Sequence, residues 1–178
     1  YHSETALAKQ HLLKTDSAQK LSRWSKPNAP YLPQHAPVQY PGKNLPIDPY
    51  VLGAWLGDGT SSLGRMTSHP DDMPFMRAQF EAAGYTTTTL KDTYSFGVHS
   101  LRAHLIGVGL LNAKKIPAEY LTASVVQRMA LLQGLMDTDG NVTTAGQCCF
   151  QNTNRGLAEG VRELLHSLGV KAKLHVYH

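Results

Sequence analysis

Two short stretches of this chain share one pattern. The first is Val51-Leu52-Gly53-Ala54-Trp55-Leu56-Gly57-Asp58-Gly59, the second Leu132-Gln133-Gly134-Leu135-Met136-Asp137-Thr138-Asp139-Gly140. Each is an apolar run with a small residue at its third and seventh places, and each ends in Asp-Gly. Residues four apart share a helix face, so Gly53 and Gly57 lie on one face, as do Gly134 and Thr138. Small residues at that spacing let two helix backbones approach closely, as in paired membrane helices. If the two motif helices pack together, their C-terminal ends meet, and Asp58 and Asp139, 81 residues apart in the chain, stand side by side. A helix C-terminus carries partial negative charge and unpaired carbonyls. Two acids there repel both the helix ends and each other, and a divalent cation relieves that cost. Oxygen-only donors favour Mg²⁺ over zinc. The bland alternative is a pair of buried helices with Asp as a terminal cap. Asp137 is a weaker candidate, because Leu56 occupies the matching place in the first motif and the Asp137-Thr138-Asp139-Gly140 string lacks the spacing of a calcium loop.

The rest of the chain is arranged around these motifs. Its 178 residues suffice for one sizeable domain or two fused half-domains, and no apolar run is long enough to span a bilayer. No basic region followed by an apolar core marks a signal peptide near Tyr1. Lys9, Lys14, Lys20, Arg23, Lys26 and Lys43 outnumber Glu4 and Asp16 in residues 1–43. That basic arm suits a polyanion as well as it suits a plain solvated linker. Residues 1–23 have helical spacing. Seven prolines between Pro27 and Pro49 then impose an extended crossing segment, which Tyr31, Val38 and Tyr40 are expected to pin. Cys148 and Cys149 read as reduced thiols, one of them in the core, in a reducing compartment, cytoplasmic or nucleoid-associated.

Caps and periodicity then give helices over Pro49–Asp58 (Asp48 as N-cap, Gly59 past the end), Pro70–Ala83, Ser100–Val108, Ser124–Asp139 and Asn154–Ser167. Strands are expected over 61–67, 85–91, 94–98, 142–152 and 170–177. The order after each Asp-Gly is alike, which indicates an internal duplication. This divides the chain into an arm at 1–43, a first half at 44–123 and a shorter second half at 124–178.

The two motifs resemble the signature helices of LAGLIDADG homing endonucleases. Leu135-Met136-Asp137-Thr138-Asp139-Gly140 is the closer match and Ala54-Trp55-Leu56-Gly57-Asp58-Gly59 the looser. Asn44-Leu45-Pro46-Ile47-Asp48-Pro49-Tyr50 and Lys115-Ile116-Pro117-Ala118-Glu119-Tyr120-Leu121 resemble flanks of the intein-encoded branch. The resemblance spans residues 44–178 and implies an α+β fold. Two pseudo-symmetric αββαββα-like halves would pack their motif helices centrally, with curved antiparallel sheets forming a saddle over double-stranded DNA. It implies a monomer and Mg²⁺-dependent cleavage of both strands, with Mn²⁺ as a substitute. Asp58 and Asp139 match the metal-binding acids, and the carbonyls of Gly57 and Thr138 stand where further metal ligands are offered. Lys114 stands where a basic active-site residue precedes the second motif; its plain alternative is a surface lysine on a phosphate.

The resemblance also implies a reading surface on the sheets. Arg65, Thr67, Thr86, Thr88 and Lys91 are the expected DNA contacts of the first half. Gln147, Gln151, Lys171, Lys173 and His175 are those of the second, since Arg, Gln and Lys suit base edges in the major groove. The nine histidines form no ligand-spaced cluster, and His2, His11 and His69 read as surface residues. A self-splicing set of Cys or Ser, Thr-x-x-His and His-Asn is not seen, so splicing is not expected. The competing function is a maturase or regulator that holds nucleic acid on the same scaffold without cutting it.

Overall fold

The computed structural model describes residues 35–92 and 94–176, so the expected helix over 1–23, the contact of Tyr31, and His2 and His11 lie outside the described residues. The extended entry segment reaches the first motif helix, α1 (Pro49–Asp58), at a well-specified start. The Asp48 carboxylate accepts from the backbone N–H groups of Tyr50 and Val51 at 2.9 and 3.2 Å, and Pro49 occupies the first turn. Every residue from Tyr50 to Leu56 is buried. A helix apolar on all sides must be covered on all sides. Here a sheet covers one face and the second motif helix another.

The sheet is built from β1 (Arg65–Thr67), β2 (Thr87–Thr89) and β3 (Ser95–Val98), in the order β1-β3-β2 with both pairs antiparallel. Met66 opposes Phe96 on the inner face, and both are fully buried. Helix α2 (Met73–Ala82) closes that side, with Phe80 edge-on to Phe96 at 5.6 Å and 88°, a favourable aromatic geometry. Its Arg77 donates to Thr87 and Thr89 at 2.8 and 3.0 Å. Helix α3 (Leu101–Gly107) adds Leu101 and Leu105 to the core. Ser100 stands at its start with φ 64° and no side-chain cap, so it does not cap as the sequence led one to expect.

After the short α4 (Ala118–Leu121), Ser124 and Gln127 form a reciprocal capping box at the start of α5 (Val125–Asp139), the second motif helix. A two-stranded antiparallel sheet, β4 (Gly140–Val142) with β5 (Cys148–Phe150), leads to α6 (Arg155–Ser167). Asn154 caps α6, which buries Leu157, Val161 and Leu164 at i, i+4 and i+7. The architecture is α+β, with small antiparallel sheets and six helices among the described residues. No described helix is long and apolar enough to cross a membrane.

Three further expectations need correction. Residues 170–176 form no strand. The β4–β5 pair hydrogen-bonds only with itself among the described residues; Ala172 and Leu174 are half-buried and Val170 and Val176 exposed at 45% and 56%, but among the described residues no neighbouring strand offers that segment a ladder. Neither cysteine is in the core: Cys148 is exposed and Cys149 half-buried, while Phe150 is the β5 residue packed against the core. The entry segment is held mainly by its backbone: the Val38 side chain is exposed, while the Tyr40 ring lies 5.2 Å under the Arg128 guanidinium, as expected of a pinning residue. Val38 N–H donates to the Ser167 carbonyl at 2.9 Å, and the fully buried Arg128 donates to the Val38 carbonyl. Arg128 also donates to the Ala123 carbonyl at 2.9 Å and to the Ser167 carbonyl and hydroxyl at 2.8 and 2.7 Å.

Candidate active site

The two motif helices touch backbone to backbone. A Cβ added at Gly53 would overlap the Leu131 carbonyl oxygen and lie 3.0 Å from the Leu135 nitrogen. A Cβ at Gly134 would overlap the Tyr50 carbonyl oxygen and lie 2.7 Å from the Ala54 nitrogen. The contact is reciprocal, since each glycine meets the carbonyl three residues before its counterpart. One turn on, a Cβ at Gly57 would overlap the Thr138 hydroxyl and come within 3.5 Å of the Asp139 carboxyl carbon. That hydroxyl donates back to the Gly134 and Leu135 carbonyls at 3.0 and 3.1 Å, so the small-residue stripe is filled without an unpaired polar atom.

This packing brings Asp58 and Asp139 to one place at the helix ends. Asp58 faces solvent on its outer side, yet loss of hydration raises its pKa above the usual carboxylate value. The Asp139 charge raises it further, and Lys114 partly opposes both. Lys114 comes from the loop before α4. Its ammonium donates to the Gly57 carbonyl at 2.8 Å and lies 5.2 Å over the Trp55 ring. Burial lowers its pKa, against the attraction of Asp139 and Asp58. Two repelling carboxylates therefore share one nearby cation.

Two asparagines that the sequence reading passed over complete the group. Asn152 donates to Asp139 Oδ2 at 2.5 Å, and the Gln151 N–H donates to the Asp139 carbonyl at 3.1 Å. Asn154, besides capping α6, donates through Nδ2 to the Lys114 carbonyl at 2.8 Å. The signal in the sequence was an Asn-Thr-Asn string at the end of a strand, which periodicity explains equally well as a turn and a cap. Asp137 faces away from this cluster and accepts from the Tyr50 hydroxyl at 2.9 Å.

The donor set at the acid pair is all oxygen: two carboxylates and the Gly57 carbonyl, which keeps a second lone pair beside its bond to Lys114. No third His, Cys, Asp or Glu joins them among the described residues. That fits Mg²⁺, which binds through one or two carboxylates and keeps water or phosphate as its other ligands.

The expected reading residues fall in two groups. In the first half Arg65 opposes Gly97, which opposes Thr88. Cross-strand partners share a face, so Arg65, Thr67, Thr86 and Thr88 project from the face opposite Met66 and Phe96. A Cβ at Gly97 would overlap the Thr88 hydroxyl, so Thr88 leans over the centre of that face. Thr67, Thr86, Thr88 and Lys91 are exposed and Arg65 half-buried, with Arg65 4.0 Å from Asp92. In the second half Gln147 and Gln151 are exposed on either side of β5, whereas Lys171, Lys173 and His175 are exposed but belong to no strand. His69 is exposed, as expected.

Residues 126–178 match the family model of the LAGLIDADG-like domain. The chain carries a LAGLIDADG-like domain. The matched stretch contains most of α5, the Asp139–Asn152 contact and all of α6. The chain is also similar to the replicative DNA helicase DnaB of Mycobacterium intracellulare, with 41% identity over 136 residues. That alignment covers 76% of this chain and 21% of the helicase. The chain therefore aligns to about a fifth of the length of the relative it matches.

Proposed function

We propose that this chain is a Mg²⁺-dependent, site-specific endonuclease of the homing type, acting on double-stranded DNA, and that it is the endonuclease portion of an intein lying within a DnaB-type helicase. The observation that carries the reading is the convergence of Asp58 and Asp139 at the ends of two helices in backbone contact, with Lys114 beside them. A protein that only binds DNA gains nothing from acids facing phosphates, and pays for them in mutual repulsion. The partial coverage of the helicase is what an inserted element would give.

Asp58 and Asp139, with the Gly57 carbonyl and, by the family resemblance, that of Thr138, would hold the metal. Bound there, Mg²⁺ supplies Lewis-acid activation of a phosphodiester and its attacking water. Lys114, its proton loosened by burial, lies close enough to orient water or to stabilise negative charge developing on the phosphate. The face bearing Arg65, Thr67, Thr86 and Thr88 would carry the DNA, with Lys91 on its margin and Gln147 and Gln151 serving the other half-site. A monomer holds both halves through the pseudo-two-fold arrangement of its motif helices.

The second reading, a non-cleaving maturase or regulator on the same scaffold, draws on the small two-stranded sheet of the second half. A plasmid carrying the uninterrupted helicase-gene junction, incubated with protein and Mg²⁺, separates the two. The endonuclease linearises it, Asp58→Asn and Asp139→Asn abolish cutting while keeping binding, and omitting metal does the same. Tight binding of the junction without any cutting by the parent chain would favour the second reading.

A further inference from the structure

Resting on the metal-holding role given above to the acid pair, we propose that Asn152 is a positioning residue for Asp139, and that it makes the two acids unequal partners in holding the metal. Asn152 Oδ1 accepts from the Asn154 N–H at 2.7 Å. That bond settles which way the amide points, so its Nδ2 faces Asp139 Oδ2, at 2.5 Å. The Gln151 N–H fixes the Asp139 backbone from the same strand end. Asn154 then links this unit to the loop that carries Lys114. Asp139 is thus held by its backbone and by one carboxylate oxygen.

Asp58 has no such support. Among the described residues its carboxylate accepts no hydrogen bond, and only the charges of Asp139 and Lys114 act on it. Lys114 cannot serve Asp58 as Asn152 serves Asp139, because its ammonium is engaged with the Gly57 carbonyl. A neutral amide suits the supporting task. It orients the carboxylate without cancelling its charge, leaving the other oxygen to a cation. A side chain already held in place loses less freedom when a ligand binds. Asp139 is therefore the principal anchor, and Asp58 completes the site.

Binding of Mn²⁺ by the full chain, measured calorimetrically without DNA, tests this directly. Loss of a partner that orients a metal ligand costs about 10-fold or more in affinity, and that is the loss expected for Asn152→Ala. Asn152→Gln, which keeps the amide, should recover part of it. The decisive comparison places Asn152→Ala in two backgrounds. In Asp58→Asn it should still weaken Mn²⁺ binding, whereas in Asp139→Asn it should change nothing further. A purely structural role would lower affinity and melting temperature alike in both backgrounds, and that result overturns the proposal, as does parent-like affinity in Asn152→Ala. Failure of the parent chain itself to bind Mn²⁺ would instead overturn the metal-holding role of the acid pair, and this inference with it.

Discussion

Replacing Gly53 by Ala should separate two effects that the same substitution combines at another site. In a helix interior Ala is about 1 kcal/mol better than Gly. At Gly53 the added methyl would overlap the Leu131 carbonyl oxygen and stand 3.0 Å from the Leu135 nitrogen. These are backbone atoms of a helix that is itself packed, so no rotamer change makes room. Relief requires the helices to part by about 1 Å, which forfeits dispersion contacts along the seam. Overpacking of this kind costs about 1–3 kcal/mol, and occasionally more. A rigid backbone obstacle places Gly53→Ala at or above the top of that range, so the net destabilisation after the propensity gain is about 2 kcal/mol. With a urea dependence of about 2 kcal/mol/M, the unfolding midpoint should fall by about 1 M with an unchanged slope. Gly160 in α6 is the control. A methyl there meets Ile116 side-chain atoms at 3.5–3.6 Å, an ordinary contact, so Gly160→Ala should stabilise by about 0.5–1 kcal/mol. Adding Gly134→Ala to Gly53→Ala should cost less than the sum of the singles, because one separation relieves both clashes. Parent-like stability in Gly53→Ala, or equal losses at Gly53 and Gly160, would refute the close-packed seam.

Three further outcomes are expected. The Asp58 carboxyl keeps its proton to higher pH in the folded chain than in the unfolded one, so metal-free stability should fall as pH rises from about 4 through its raised pKa; Asp58→Asn should flatten that slope in thermal melts and stabilise the metal-free chain at neutral pH. Arg128→Met should cost about 3 kcal/mol in urea unfolding, because it strands buried carbonyls that now accept from a charged donor, and should expose residues 35–40 to limited proteolysis. Arg65→Ala should weaken binding of the junction DNA by about 1–3 kcal/mol and relax the preference at one base pair, measured by fluorescence anisotropy on single-pair variants of the junction; an unchanged preference at every position would remove Arg65 from the base-edge contacts.

What the sequence made legible follows from how local each signal is. Asp48 and Pro49 marked the start of α1, Ser124 that of α5 and Asn154 that of α6, since a cap is read within four residues. The glycine stripes announced the close helix pair, because a missing side chain has meaning only where something else fills the space. The Asp58–Asp139 pair followed from that stripe. Lys114 was found by resemblance, while its bond to the Gly57 carbonyl lay beyond any local pattern. Arg128 escaped notice because a charged residue in a helix reads as solvated until the acceptors around it, drawn from three separate segments, are known. The 170–176 segment misled for the converse reason: its alternation has strand spacing, but a strand exists only against a neighbour.

Arg128 has a consequence for the chain upstream. Its guanidinium stays charged at any pH a protein survives, and its acceptors among the described residues are all neutral oxygens. Buried, it is little affected by dissolved ions. The tether at Val38 should therefore hold through swings of acidity and ionic strength that would loosen a surface ion pair. For the described entry segment that contact is a fixed peg, not a hinge.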